Sequence, residues 1–420
     1  MKLLALCVVV LYFLMPIAIV GSETLPDAIF YALMAACIGL LFQEKWANTR
    51  AVLAQYKVLL LCYCVPLLAV VISMLAHMHW ANTDFRRAVS LSLGLPVLLL
   101  ALPHVKRIPL AQCLWGIYIA ALGATAYVAQ LAYADDFNRP HTEIYNMVSY
   151  SNLMILLAVV SLFSIGWQLT SSPRLERAVK IIVTALTLIG FVLTQTRTGW
   201  LAVPLFVLIG VALVTGFKRP LRSMGMLLGI IAVALAFGLS SDGLRGRVKE
   251  GVKQTLTCHG ERSTSNNNVC ARIQLWHAAW QMFQEKPLVG LGDGELFPQK
   301  LKTESLPEGI VSRRVVRYLI DPHNDMLYSL ASFGVLGGLG LLLTYLAPAV
   351  VFARRLHSRY PLRNRSAAAM GMAFCLGFIF LGLTEFMFHQ VRTASFYVMF
   401  VGLFLVLSQA GESAAQTSES

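Results

Sequence analysis

Charged residues are scarce in this chain, and their scarcity excludes most soluble folds. Asp, Glu, Lys and Arg make up only 13% of its 420 residues, whereas soluble domains usually carry about 25%. Hydrophobic residues make up 57%, and the mean hydropathy is +0.67. Many apolar runs approach the roughly 20 residues that a helix needs to cross a bilayer. The composition therefore predicts an all-α polytopic membrane protein.

The chain also lacks the signals of two other functional classes. It has no zinc-finger spacing, RNA-binding signature or basic helix, so its net charge of +13 does not indicate a nucleic-acid partner. It has no internal repeat and no symmetric pair of broken helices, which counts against an inverted-repeat transporter. The basic residues instead cluster in short loops between apolar runs, as the positive-inside rule expects.

Twelve apolar runs predict twelve transmembrane helices and one large polar loop. The helices are expected at about 3–20, 26–42, 52–76, 88–102, 110–133, 147–168, 178–194, 200–216, 224–239, 323–351, 366–384 and 393–408. Residues 1–240 would hold helices one to nine, 241–322 the loop with its short helices, and 323–408 the last three helices. The polar tail 409–420 is expected to be disordered.

The distribution of basic residues predicts the orientation, because cytoplasmic loops carry the excess of Lys and Arg. An even number of helices puts both termini on one side. The sixteen basic residues on that side are Lys2, Lys45, Arg50, Lys106, Arg107, Arg174, Arg177, Lys180, Lys218, Arg219, Arg222, Arg354, Arg355, Arg359, Arg363 and Arg365. The five in short loops on the other side are Arg86, Arg87, Arg139, Arg197 and Arg392. Both termini are therefore expected in the cytoplasm, and the loop 241–322 outside.

The stretch 321–327 predicts the start of a helix that carries a candidate base. Asp321 is expected to cap the helix and Pro322 to occupy its first position. His323 would then lie in the first turn, where the positive end of the helix dipole favours a neutral imidazole that can accept a proton. A hydrogen-bonded structural histidine is the alternative. Further along, Gly334 and Gly338 form a GxxxG pair that predicts close approach of another helix.

Arginines on the predicted outer side are candidate ligands for phosphate, because the planar guanidinium fork matches two phosphate oxygens. Arg197 lies in a short turn between threonines, where its position is fixed. Arg86 and Arg87 open the fourth helix, and anchoring to lipid headgroups is the alternative for both. Glu385 is either a structural partner of an arginine or part of the site.

The large loop contains one predicted amphipathic helix, 272–285. Its apolar face, formed by Ile273, Trp276, Trp280 and Phe283, is expected to pack on the membrane or on helix ends. Arg272 begins this helix. The glycines of 286–294 lack a following GK[ST] and predict a tight turn rather than a nucleotide loop.

Two cysteines, Cys258 and Cys270, lie in the polar loop, and a disulfide is expected between them if the loop faces an oxidising compartment. Two unrelated thiols are the alternative. The acidic pairs Asp135–Asp136 and Asp293–Glu295 could bind a hard cation. A required metal is not expected, because the arginines already supply positive charge for an anionic group.

These features together resemble the bacterial O-antigen ligase family. The resemblance rests on His323-Asn324 before a Gly-rich helix, on the large loop after the ninth helix, and on the segments 286–292 and 196–199. The family belongs to a superfamily with Wzy-type O-antigen polymerases and pilin-type oligosaccharyltransferases. The resemblance implies a multi-pass inner-membrane enzyme with its active site on the periplasmic face. It would transfer O-antigen polysaccharide from undecaprenyl diphosphate to lipid A–core oligosaccharide without a cofactor.

By likeness of position, His323 matches the essential histidine of that family, and Arg197 and Arg272 match its two essential arginines. Secondary assignments go to Arg86, Arg87, Glu385, Asn324 and Asp325. The chemistry agrees, since a neutral imidazole could deprotonate the acceptor hydroxyl while arginines neutralise the leaving diphosphate. Single-step inversion is expected, because no outward nucleophile stands out.

Other functions remain open from the sequence. A Wzy-type polymerase and a protein O-oligosaccharyltransferase would use the same donor. A transporter of polyisoprenoid-linked sugars would need charged residues deep within the helices, and this chain places nearly all its charge at the helix ends. A non-catalytic assembly partner would tolerate loss of His323.

Overall fold

The described part of the chain is mostly helical. The computed structural model describes residues 3–137, 140–216, 225, 229, 258, 268–388 and 390–409, and these contain no strand. This confirms the predicted all-α class. The ninth predicted helix, at 224–239, lies almost wholly outside the described residues, as does the tail after residue 409. The count of twelve helices therefore stays a prediction.

The helices follow the apolar runs closely. They are α1 Leu3–Gly21, α2 Leu25–Gln43, α3 Thr49–His77, α4 Asn82–Ala101, α5 Arg107–Ala111, α6 Leu114–Ala134, α7 Met147–Phe163, α8 Pro173–Leu193, α9 Val203–Thr215, α10 Asn268–Glu285, α11 Phe297–Lys300, α12 Arg313–Tyr318, α13 Asp325–Arg355, α14 Leu362–Gly382 and α15 Val391–Leu407. Among the described residues, nine helical segments are long and apolar enough to cross a membrane. The chain is therefore a multi-pass membrane protein.

The centre of the bundle is α15, in which every residue from Val391 to Leu407 is buried. Helix α14 packs beside it and is rich in small residues, so neighbouring helices come close; a Cβ at Gly371 would overlap the ring of Phe352 in α13. Stacked aromatic rings, such as Phe374 against Phe400 at 5.5 Å, fill the space between α14 and α15.

Helix α13 is kinked, and the loop 287–292 forms hydrogen bonds with the backbone at the kink. Gly334 has φ 64° and ψ −159°, a backbone conformation open essentially to glycine alone. The opened backbone pairs with the loop 287–292. The amide of Val335 donates to the carbonyl of Pro287 at 2.8 Å, and that of Leu291 donates to Ala331 at 2.9 Å. The kink therefore fixes the loop against the end of the bundle.

The glycine pattern of α13 thus serves a different purpose from the one expected. At Gly334 the close neighbour is the loop backbone at Leu288, not another helix, and at Gly338 it is Leu330 of the same helix. The prediction that another helix approaches closely at Gly334 and Gly338 was therefore wrong. Close helix approach occurs instead at Gly340, where an added Cβ would lie 3.0 Å from Pro66 of α3.

Helix α10 belongs to a separate small core built by the loop region. Its buried residues are Ala271, Leu275, Ala278, Ala279 and Met282, and they pack with Phe297, Leu301 and Val315. The predicted apolar face points elsewhere, since Trp280 is 46% exposed. Its contact with the membrane stays a prediction. The predicted turn after Pro287 is present, closed by the amide of Gly290 donating to Lys286 at 2.8 Å.

Replacing Gly334 with alanine should destabilise the protein by about 2–4 kcal/mol, because the backbone conformation disfavours a side chain and a Cβ would overlap the Leu288 carbonyl. The measurement is the fraction of detergent-solubilised protein that stays monodisperse after heating. The matched control is Gly123→Ala in α6, where an added Cβ meets nothing within 4 Å. An equal effect of the two substitutions would contradict the role given to the kink.

Candidate active site

The segment before α13 forms a turn, and the helix begins two residues later than expected. Asn324 caps it, with Oδ1 accepting from the amides of Met326 and Leu327, both at 3.0 Å. The predicted cap by Asp321 was wrong, because His323 adopts a left-handed φ of 45° and cannot continue a helix. Asp321 Oδ1 instead accepts from the amide of His323 at 2.9 Å, within the turn.

Two residues next to His323 bind the connection between α14 and α15. The Asn324 amide group donates to the carbonyl of Leu383 at 3.1 Å. The buried carboxylate of Asp325 accepts from the amides of Met387 at 3.1 Å and Phe388 at 3.2 Å. Asn324 and Asp325 therefore have positioning roles, and together they bring Glu385 to His323.

His323 lies between two carboxylates. Its Nδ1 is 2.8 Å from Asp321 Oδ1 and 3.4 Å from Glu385 Oε1. The side chain of His323 is 14% exposed and that of Glu385 only 4%. Burial alone would lower the pKa of His323, but the contacts and charges of Asp321 and Glu385 outweigh it and raise that pKa to about 10. The expectation of a neutral imidazole was therefore wrong, since His323 precedes the helix and two neighbouring carboxylates raise its pKa.

Glu385 also lies near Arg272, so that it stands between the imidazole and a guanidinium. Its Oε2 is 4.0 Å from Arg272 Nη2. Trp276, one turn after Arg272, holds helix α10 in this position. The Nε1 of Trp276 donates to the carbonyl of Pro322 at 3.0 Å. Cys258 and Cys270 are joined as a disulfide immediately before Arg272.

His323 and Arg272 line one cavity of about 450 Å³. The remaining lining residues are Ala271, Leu319, Pro140, His141, Thr142, Tyr145, Asn146, Met147 and Val148. This volume falls in the range of small-molecule sites. The cavity lies where α7 and α13 begin, at one end of the membrane-spanning bundle.

Arg392 supports the opposite wall of this cavity and was not predicted as a site residue. Its guanidinium lies 3.8 Å from the centre of the Tyr145 ring and donates to the carbonyl of Ile144 at 3.2 Å. Stacking of a guanidinium on an aromatic ring favours a fixed wall. The only sequence signal was that Arg392 is one of the five outward arginines.

The turn that carries Arg197 lies at the same end of the bundle. Thr196 Oγ1 donates to Ser151 Oγ at 2.7 Å, one turn into α7, and Gln195 Nε2 donates to the carbonyl of Phe137 at 2.8 Å. Arg197 itself is exposed. Arg197 and His323 therefore lie at the same end of the bundle. Within the described residues, no hydrogen bond or ion pair joins the two.

Arg86 and Arg87 lie away from the cavity of His323. Arg87 is buried and pairs with Asp84, Nη2 to Oδ1, at 2.5 Å. Asp84 also accepts from the amide of Gly294 at 3.0 Å, which binds the loop region to α4. Arg86 is exposed, and its charged neighbour is Asp27 of α2. This geometry favours structural roles for both arginines.

The acidic pair Asp293 and Glu295 is occupied by hydrogen bonds. Asp293 Oδ2 lies 3.0 Å from His79 Nε2, and Glu295 Oε1 accepts from Thr83 at 2.9 Å. Within the described ranges, no group of three or more His, Cys, Asp or Glu side chains is arranged to hold a metal ion.

Comparison with known proteins gives a match to a family model. The model described as O-antigen ligase matches residues 182–342, a range that contains Arg197, Arg272 and His323. The match confirms the resemblance to the O-antigen ligase family drawn from the sequence. Members of the family are enzymes that act on lipid-linked sugars. The chain is also similar to an uncharacterized protein of Haemophilus influenzae, with 25% identity over 302 residues, 69% of this chain and 71% of the relative.

Replacing Glu385 with glutamine should lower the pKa of His323, because the imidazolium loses one of its two neighbouring anions. The measurement is the pH dependence of His323 modification by diethyl pyrocarbonate, followed by mass spectrometry, which needs no activity. Asp321→Asn should act in the same direction. Glu308→Gln, an exposed carboxylate that accepts from Gln281, is the control. An unchanged pH profile in both site variants would contradict this electrostatic account.

Proposed function

We propose that this protein is an O-antigen ligase, which transfers O-antigen polysaccharide from undecaprenyl diphosphate to lipid A–core oligosaccharide. The observation that carries the proposal is the joint lining of one cavity by His323 and Arg272, with Glu385 between them, inside the region that matches the family. A base and a fixed cation at a helix end suit a donor whose tail lies in lipid and whose sugars lie in water.

The proposal places the cavity on the periplasmic face of the inner membrane. Among the described residues, two of the basic residues counted on the cytoplasmic side, Arg107 and Arg355, lie at the opposite end of the bundle. Arg107 donates to the carbonyl of Leu407 at 2.5 Å, and Arg355 donates to that of Leu405 at 2.6 Å, both at the C-terminal end of α15. The cavity adjoins Arg392 at the N-terminal end of α15. The positive-inside rule then assigns the cavity to the outer side and both termini to the cytoplasm.

In the proposed reaction His323 is the general base. Nδ1 lies near Asp321 and Glu385, whose charges favour a proton on that nitrogen, and Nε2 is proposed as the nitrogen that meets the acceptor hydroxyl. The two carboxylates stabilise the imidazolium that forms. They also keep His323 protonated at rest, since a pKa of about 10 leaves about one ring in a thousand neutral at pH 7. The neutral imidazole is therefore a strong base, but only a small fraction of the molecules carries it at pH 7.

The arginines would act on the leaving group. As the glycosidic bond to the diphosphate breaks, negative charge grows on the diphosphate oxygens. A guanidinium already fixed at the cavity stabilises this charge without reorganisation. Arg272 lines the cavity, which supports this role, and Arg197 is proposed to reach the diphosphate from the same end. The acceptor attacks in a single inverting step, without a metal.

His323→Ala should abolish transfer to lipid A–core while expression and monodispersity persist, because the acceptor hydroxyl loses its base. The assay supplies the undecaprenyl diphosphate donor with lipid A–core, repeat-unit polymer or pilin in separate reactions, each with and without a chelator. The control is His277→Ala, an exposed histidine of α10. Arg272→Ala should lower donor turnover by about 100-fold or more, the usual loss when one transition-state charge partner is removed.

Each outcome of that assay bears on a separate claim. Transfer to polymer or pilin alone would replace the ligase by a polymerase or a protein glycosyltransferase. Retained activity in the His323 variant would refute the role of His323 as the general base.

The transfer rate should rise with pH between about 7 and 9, because the neutral fraction of His323 grows about tenfold per unit below its pKa. Glu385→Gln lowers that pKa and should move the rising limb of kcat/KM to lower pH. The pH profile of wild type and variant, measured with one donor and one acceptor, checks both expectations. A profile that falls over this range would contradict the base role.

A further inference from the structure

Helix α12 presents three arginines that the proposed chemistry does not use. Arg313, Arg314 and Arg317 are all exposed, and no Asp or Glu lies between residues 309 and 320. Within the described residues, none of the three forms an ion pair with a carboxylate. The nearby Lys300 differs, since its Nζ lies 2.9 Å from Glu285 and 2.6 Å from Glu304. The three guanidiniums therefore retain an unneutralised positive charge.

These arginines are held in place by the small core of the loop region. Val315 is buried on the inner side of α12, and Val311 is buried just before the helix, both in the same core as α10. The amide of Ser312 donates to Gln274 Oε1 at 2.9 Å, and Ser312 Oγ caps the helix by accepting from Val315. Because the inner side is packed, the guanidiniums are kept on the outer side.

Exposed apolar side chains continue this basic surface toward the active site. Tyr318 is 68% and Ile320 63% exposed. Leu319, between them, lines the same cavity as His323 and Arg272. A surface with cationic groups at one end and apolar groups at the other fits an amphiphile with anionic headgroup charges.

We propose that Arg313, Arg314 and Arg317, with Tyr318 and Ile320, form the docking surface for the anionic phosphate groups of the acceptor glycolipid. This inference rests on the proposed ligase function. The acceptor would bind its phosphates on α12 and extend its sugars past Leu319 to His323. The donor diphosphate would occupy the opposite part of the cavity, at Arg272. Separate cationic sites would thus keep donor and acceptor apart until transfer.

The test compares acceptors with and without phosphate groups. The triple variant R313Q/R314Q/R317Q should raise the KM for phosphorylated lipid A–core about tenfold or more, as the loss of several exposed charge contacts would give. The donor KM should stay unchanged, and kcat should stay within about twofold, because no reacting atom is touched. With a dephosphorylated acceptor, wild type and variant should be equal. High salt should reduce the difference between them.

Two controls separate this surface from general charge effects. The variant R174Q/R177Q removes two exposed arginines of α8 at the opposite end of the bundle, with the same spacing as Arg314 and Arg317, and it should leave the acceptor KM unchanged. The triple lysine variant at 313, 314 and 317 keeps the charge and should restore most of the affinity. An equal loss for both acceptors would overturn the proposal.

The source of the phosphate is tested by changing the lipid. In nanodiscs without anionic phospholipid, the difference between wild type and the glutamine variant should persist. If it disappears, the surface binds phospholipid headgroups and the proposal is overturned. Direct binding of fluorescent lipid A–core to detergent-solubilised protein separates this inference from the ligase function. Selective loss of binding in the variant would support the surface even if no transfer occurs, and binding by neither protein would refute it.

Discussion

The candidate site depends on the attachment of the α14–α15 connection to the start of α13. Asn324 and Asp325 supply that attachment through hydrogen bonds to Leu383, Met387 and Phe388. Satisfying buried backbone amides with a carboxylate is strongly favoured, because each unpaired amide would cost free energy in the apolar bundle. The same contacts place Glu385 beside His323. The residues after the histidine thus hold the segment that carries Glu385.

This attachment also helps to explain why carboxylates surround His323 although the chain as a whole carries a net positive charge. The net charge of the chain is +13, and described basic residues such as Arg107 and Arg355 lie at the other end of the bundle. At the cavity, two carboxylates meet one imidazole. In a half-buried setting such contacts govern protonation far more than distant charges do. Local geometry, not net charge, decides the state of His323.

The sequence predicted the parts of the fold that follow from short-range patterns. Apolar runs located α1 to α3 within a few residues, because bilayer-spanning length is visible in composition. It failed where a distant residue decides the outcome. Glu385 lies 62 residues from His323, and no local pattern reveals that the two meet. The kink at Gly334 and the buried face of α10 likewise depend on tertiary contacts. The cap at Asn324 is local by contrast, since its Oδ1 accepts from the amide of Met326.

The position of Glu385 between His323 and Arg272 suggests how donor binding and base strength are linked. Its contact with Arg272 is long, at 4.0 Å, and that with His323 is shorter, at 3.4 Å. In the proposed reaction the guanidinium of Arg272 therefore meets the diphosphate without the loss of a short ion pair to Glu385. With Arg272 bound to the diphosphate, Glu385 interacts with the imidazolium of His323 alone. The donor diphosphate and the catalytic base are then stabilised by separate interactions. A direct Arg272–Glu385 pair at hydrogen-bond distance would instead compete with the donor, so we expect the loose geometry to be a requirement of the site.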